Sequence, residues 1–509
     1  MRRLEYRLAL IAISAALAGC ARQALDMAPE SADRPWTPAT KASGEIVPGK
    51  RALEQEPDHG YILPANPTLG KIPAPPSGLM HDHAYGLAEL IDIAQSNNPT
   101  TRIAWDEARD AALAAGIARS TYLPNLSAGV IGGYQTGHNH DSSLGVDQNV
   151  TAKGTISSLS LQWLLFDFGK RSAILDAAKQ GSVITNIAFT ASHQRVIYKV
   201  SLAFYANAAA QARVKTAAKA LKNARDVQAA AENRYKHDVG TVVEVAEARQ
   251  ATAQANLAQV QADGAAQDTY LSLLAAMGIS PLTKIKIADI TNRPLSAGMT
   301  GPIEDVVSAA LAQRPDTLTA YAAHEASLAN LRAARAEFLP KLFLSATGSY
   351  TTGHLDVTGL PGIAEQPATL NLSRQDLGAT ILMGVTIPLY DGGTRDAMLQ
   401  RAHTSVDKSD AALNEVRNEA VQQVVAAGNA AKTSLSAYDA AQVLASAART
   451  TFDAALQAYR HGVGSITAVT TAETQLLLAE NAATDAYSAA LSAAATLALS
   501  AGTLGAAPQ

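Results

Sequence analysis

Tyr122-Leu123-Pro124-Asn125-Leu126 returns 216 positions later (340 − 124) as Phe338-Leu339-Pro340-Lys341-Leu342, and Gly133-Tyr134-Gln135-Thr136-Gly137 returns as Ser349-Tyr350-Thr351-Thr352-Gly353. Further along, the offset is 224 (390 − 166). Phe166-Asp167-Phe168-Gly169-Lys170-Arg171 recurs as Tyr390-Asp391-Gly392-Gly393-Thr394-Arg395. Arg234-Tyr235-Lys236-His237-Asp238-Val239-Gly240-Thr241 recurs as Ala458-Tyr459-Arg460-His461-Gly462-Val463-Gly464-Ser465. Eight additional residues (224 − 216) in one loop account for the change. Copies this long exceed the roughly 20 to 50 residues of a solenoid unit, so the chain is one module duplicated and not an array. Whatever the module folds into, the chain must build it twice.

Within each copy the hydrophobic period changes. Leu87, Leu90, Ile91 and Ala94 mark a helix that Asn97-Asn98-Pro99 stops, and a second helix runs from about Thr100 to Tyr122, ahead of Pro124. Alternation then takes over. Leu126, Ala128, Val130, Gly132 and Tyr134 alternate with Ser127, Gly129, Ile131 and Gly133, and Leu342 to Tyr350 repeat the pattern. After polar loops at about 137–154 and 353–376, second strands follow around Leu159-Leu161-Trp163 and over Ala379 to Pro388. Each copy thus holds a β-hairpin (about 125–167 and 341–390) of strands about 10 residues long, the length a tilted strand needs to cross hydrocarbon.

Residues 170–236 and 394–460 contain no proline and read as helices roughly 100 Å long at about 1.5 Å per residue. Val239-Gly240-Thr241 and Val463-Gly464-Ser465 interrupt them, with glycine expected to supply a left-handed turn and Thr241 or Ser465 to cap the returning helix. The returns end near Met277 and Ser500. The organisation is a first repeat over 84–280, a linker over 281–302, a second repeat over 303–503 and a tail over 504–509.

Arg2, Arg3 and Arg7 precede an apolar stretch, Leu8 to Leu17, too short for a spanning helix but suited to a signal-peptide core over 1–19. Leu17-Ala18-Gly19-Cys20 resembles a bacterial lipobox, which implies cleavage before Cys20 and acylation of that residue. Ala21 in place of aspartate, by resemblance to bacterial lipoproteins, favours the outer membrane. Removing 1–19 takes the formal charge from −4 to −6, since Arg2, Arg3, Arg7 and Glu5 leave, and nothing in that balance attracts nucleic acid. Residues 20–83 are proline-rich and read as an extended, lipidated leader. No later stretch has the length of uncharged apolar residues a spanning helix needs, so further membrane contact falls to the strands. Four strands cannot close a barrel, and an open edge in hydrocarbon costs several kcal/mol per unpaired backbone group, so other chains must complete the sheet.

The order helix, helix, Leu-Pro, strand, loop, strand, Phe/Tyr-Asp-x-Gly, long helix, Tyr-x-x-x-Val-Gly-Thr/Ser, helix, given twice over roughly residues 84–503, resembles the TolC family of outer-membrane efflux and secretion channels, and Cys20 matches its lipoprotein branch. The resemblance implies a mixed α and β fold in which a homotrimer completes a twelve-stranded barrel and a twelve-helix periplasmic tunnel. It implies a passive exit duct for small molecules, energised by an RND or ABC inner-membrane transporter through a periplasmic adaptor. The outer channel of a type I protein secretion system and a non-conducting structural envelope lipoprotein are the alternatives. Adaptor contacts would fall on the turns, Lys236, Val239, Gly240, Thr241, Arg460, Val463, Gly464 and Ser465. The family often places carboxylates four and seven positions after the turn glycine to line a constriction. Here these are Glu244 and Glu247 in the first copy but Ala468 and Thr471 in the second, with Glu473 as a substitute. His237 and His461, each three positions before a turn glycine and so near a helix C-terminus, are further aperture candidates.

No His-Glu-x-x-His, Gly-x-Ser-x-Gly or phosphate-loop motif is present, so neither an enzyme nor a cofactor is expected. His81-Asp82-His83 and His138-Asn139-His140-Asp141 read as a surface leader and a polar loop rather than metal ligands.

Overall fold

The computed structural model describes residues 27–29, 32, 36, 38–50, 62–80, 82–141, 146–290, 302–354 and 377–505. The signal segment, Cys20, His81 and the greater part of the second polar loop lie outside them, as do the side chains of His138 and His140. The chain divides into two units, Met1–Ser77 and Gly78–Gln509.

In the first unit the leader forms a small antiparallel hairpin, β1 (Pro38–Thr40) with β2 (Ile46–Lys50). Its turn is closed by Gly44 N donating to Lys41 O (2.9 Å) and by a Lys41–Glu45 ion pair of 2.7 Å.

The second unit opens with β3 (Ala84–Tyr85), α1 (Leu87–Asn97) and α2 (Pro99–Ser120). Asn98 ends α1 and caps α2, its Oδ1 accepting from Thr100 N at 2.9 Å, with Pro99 at the first helical position. The hairpin β4 (Asn125–Asp141) and β5 (Val146–Phe166) follows, then the 67-residue α3 (Lys170–Lys236) and the 36-residue α4 (Val242–Met277). After β6 (Lys286–Ile287), which pairs in parallel with β3, the pattern repeats: α5 (Ile303–Gln313), α6 (Pro315–Ala336), β7 (Lys341–His354), β8 (Leu377–Thr386), the 67-residue α7 (Thr394–Arg460) and the 35-residue α8 (Ile466–Ser500).

The long helices pack through alanine. Ala210, Ala217, Ala220, Ala224 and Ala231 of α3 and Ala248, Ala255 and Ala266 of α4 are all buried, and side chains this small let backbones approach closely along a thin hairpin with no thick core. Larger residues gather in two places. One cluster (Leu90, Val200, Phe204, Leu273, Met277) fastens α1 against α3 and α4. The other (Val227, Val245, Phe452, Tyr459, Val469, Leu476) joins the first hairpin to the second near their far ends.

The four long strands make one antiparallel sheet in the order β4-β5-β7-β8. Its register aligns the alternations of all four strands. Leu126 pairs with Leu161, Leu161 with Ala346 and Ala346 with Ile381, while Ser127 pairs with Ser160, Ser160 with Thr347 and Thr347 with Thr380. Paired residues share a face, so one face carries Leu126, Val130, Leu159, Trp163, Leu344, Ile381 and Met383 and the other is rich in serine and threonine. The apolar face is open: Leu126 is 65% exposed, Val130 73%, Leu377 76% and Ile381 75%.

The strands correct one sequence expectation. β4 has 17 residues and β5 has 21, not about 10, and the segment expected as a polar loop at 137–154 largely continues the ladder, from Gly133↔Gly154 to Asp141↔Val146. Once a register is set, each added pair gains backbone hydrogen bonds with little further loop entropy, and this outweighs weak local strand propensity. Glycine also permits close approach there, since a Cβ on Gly154 would meet Thr352 O at 2.3 Å.

Candidate functional site

The far ends of the two hairpins bring together most of the residues singled out by the sequence. His237 closes the C-terminus of α3 and α4 is capped by Thr241, whose Oγ1 accepts from Glu244 N (3.2 Å); His461 closes the C-terminus of α7 and α8 is capped by Ser465, whose Oγ accepts from Ala468 N (3.2 Å). The residue turning left-handed is not the expected glycine. It is Asp238 (φ 59°) in the first tip and Gly462 (φ 79°) in the second. Gly240 and Gly464 are required by space instead, because a Cβ would lie 3.0 Å from Arg234 Cβ in one and 2.9 Å from Tyr459 N in the other.

Lys236, His237, Val239, Thr241, Arg460, His461, Val463 and Ser465 are exposed, Val463 by 84%. His237 Nδ1 lies 2.8 Å from Asn233 O, so that nitrogen donates and the ring is held on its own helix.

Behind this surface the two tips are joined by charges that come only from the first copy. Tyr459 Oη donates to Glu244 Oε2 at 3.2 Å, and Arg234 Nε lies 3.7 Å from the same oxygen. The Arg234 guanidinium stands 5.1 Å from the Tyr459 ring centroid, and its Nη2 donates to Val239 O at 3.2 Å. Tyr459 is 1% exposed. Burial, and then the Glu244 carboxylate, push its phenol up to about 12, so it remains a donor throughout the physiological range. Glu247 accepts from Thr467 Oγ1 at 3.2 Å. Both first-copy carboxylates are therefore held by residues of the second hairpin.

Glu473 stands apart, buried to 7% exposure about 12 Å along α8 from Ser465 at about 1.5 Å per residue. Arg234 and Tyr459 had not been singled out. One signal was available: Arg234 aligns with Ala458, a charge present in one copy alone. Among the described residues no group of three or more His, Cys, Asp or Glu gathers to hold a metal ion, and His83 instead contacts Glu89 (2.8 Å).

The model of the family described as outer membrane efflux protein matches residues 90–279 and 306–503, the two repeats. Protein CyaE of Bordetella pertussis is 30% identical over 351 residues, covering 67% of this chain and 68% of its own. Outer membrane protein OprJ of Pseudomonas aeruginosa is 25% identical over 377 residues, 74% and 75% of the two chains. In fold, the solved outer-membrane channel OprN superposes with a TM-score of 0.70 at 19% identity, over 82% of this chain and 89% of that one. The duplicated hairpins, the apolar sheet face and the family match agree, and the chain belongs to the outer membrane efflux protein family.

Proposed function

We propose that this protein is the passive exit duct of a tripartite efflux system, a lipid-anchored homotrimer that carries small molecules delivered by an inner-membrane RND or ABC transporter through a periplasmic adaptor. The observation that carries this reading is the sheet: a continuous, water-exposed apolar face on four strands, with β4 and β8 left as edges. A single such sheet in hydrocarbon leaves its edges unpaired, whereas three copies side by side close twelve strands with no edge. The helical hairpins, roughly 100 Å long, supply a periplasmic extension of the closed barrel. The protein contributes a conduit and no covalent chemistry; energy comes from the pump.

Acylation of Cys20 adds a second membrane attachment. The exposed turns, with Lys236, Val239, Arg460 and Val463 outermost, are where the adaptor docks. Glu244 and Glu247 line the mouth, and six carboxylates in a trimer favour cations there.

The reading is tested with protein extracted from membranes. A trimer that gives discrete currents in planar bilayers, and that brings down an adaptor and a pump on affinity purification, supports it. A stable monomer, or a trimer that never conducts, overturns it. In the same bilayers, Glu244→Gln with Glu247→Gln should lower cation selectivity.

A further inference from the structure

Between α3, α7 and α8 lies a cavity of about 320 Å³, lined on α3 by Lys219 and Lys222, on α7 by Arg449, Phe452 and Asp453, and on α8 by Glu473, Leu476 and Glu480. Its charges are unevenly satisfied. Arg449 is engaged by Glu480, whereas Glu473 Oε1 is buried without a hydrogen-bond partner and no ion pair reaches the residue among the described ones. Lys219 and Lys222 are exposed and Glu473 is not, so the lysines stand at the rim and the carboxyl at the floor.

A carboxylate in that position would have a buried oxygen with no protein donor and no cation paired to it, and burial favours the neutral, protonated form. Burial pushes its carboxyl from 4.5 up to about 7. The sign follows from linkage: support for the packed state is complete below 4.5 and is lost as pH rises through about 7.

We propose that Glu473 is a proton-operated latch between the two helical hairpins. Neutral, it sits with Phe452 and Leu476 in the cavity lining and lets α3 close on α7 and α8. Ionised, it needs water or one of the two rim lysines, and reaching either requires α8 to shift against α3. Arg449 is already paired with Glu480 and Asp453 carries no positive charge, which leaves the two lysines as the cations of the lining. The joint concerned is the one that also holds Glu244 and Glu247, so its loosening reaches the tip.

The test reads helix spacing and not current, so a chain that fails to conduct still answers it. Spin labels are placed at the exposed positions Arg225→Cys and Gln475→Cys of the full chain, whose single native cysteine, Cys20, carries the proposed acyl group and takes no label. The α3–α8 distance distribution should lengthen or broaden as pH rises, with a midpoint within about one unit of 7. Glu473→Gln should hold the low-pH distribution throughout. A distribution that ignores pH, or a Glu473→Gln chain that shifts as the parent does, overturns the latch. Lys219→Gln with Lys222→Gln leaves Glu473 in place and should move the midpoint to higher pH; an unmoved midpoint also counts against it.

Discussion

At the first tip the left-handed residue is Asp238, the arginine before the turn is Arg234, and the returning helix carries Glu244 and Glu247. At the second tip the same four backbone positions hold Gly462, Ala458, Ala468 and Thr471. The paired tyrosines differ as sharply, since Tyr235 is 50% exposed and Tyr459 1%. Duplication has kept one backbone while the side chains have divided the labour. The first copy supplies the charges and the second supplies the buried phenol and the hydroxyl of Thr467 that receive them.

The sharpest way to break the comparison is to truncate both tyrosines. Tyr459→Ala removes a fully buried ring and should cost about 3–5 kcal/mol, whereas Tyr235→Ala on the surface should stay within about 0.5 kcal/mol. Thermal unfolding of detergent-extracted protein compares them, and equal losses would mean that the tips are not differentiated.

The opposite ends of the hairpins differ next. In the first copy Asn98 Nδ2 donates to Ala276 O at 3.1 Å; in the second, Arg314 Nη1 donates to Ser500 O at 2.9 Å and its other nitrogens engage Asp316 and Gln423. Arg314→Ala removes a buried guanidinium that donates to three residues and should cost about 2 kcal/mol, against about 1 for Asn98→Ala. Burial alone would raise the Asp316 carboxyl, but hydrogen bonds and charge from Arg314 outweigh it and hold the group below 3.8. The pair's contribution is therefore full above 3.8 and fades as pH falls through the depressed value, so the gap between melts of Arg314→Ala and parent should narrow in acid.

The long helices were legible because nothing inside them interrupts: proline is absent from 170–236 and 394–460, and capping residues stand at both returns. The strands were legible in their apolar middle, where alternation is strict. They were not legible at 137–154, where His138, Asn139, His140, Asp141 and glycines suit a loop and only pairing with a neighbour makes them a ladder. The tip network is of the second kind. Arg234 and Tyr459 are 225 positions apart, and no local pattern encodes a contact of that range. Gly240 and Gly464 show the intermediate case, since spacing marked them as necessary while the cause, steric room rather than a left-handed backbone, came from the packing.

Cutting the charge alone sharpens the comparison further. Arg234→Met keeps much of the stem that lies along Tyr459 but leaves Glu244 with the phenol as its remaining partner in this network. A loss of about 1–2 kcal/mol is expected. The aligned change Ala458→Met, at a site that bears no charge, should be close to neutral. Matching losses in the two variants would assign the effect to packing and not to the ion pair.

The smallest expected difference lies in the turn itself. Both tips need one residue at positive φ, and aspartate tolerates that region better than most side chains but less well than glycine. Gly462→Ala should therefore cost about 1 kcal/mol, as any Cβ in a left-handed turn does. Asp238→Gly removes a mild strain but gives the unfolded chain more freedom, and these opposing terms should leave it within about 0.5 kcal/mol of the parent. Paired thermal melts measure both. A neutral Gly462→Ala would show that the second tip does not hold its left-handed turn, and the likeness of the two backbones, on which the whole contrast of side chains rests, would fail at that point.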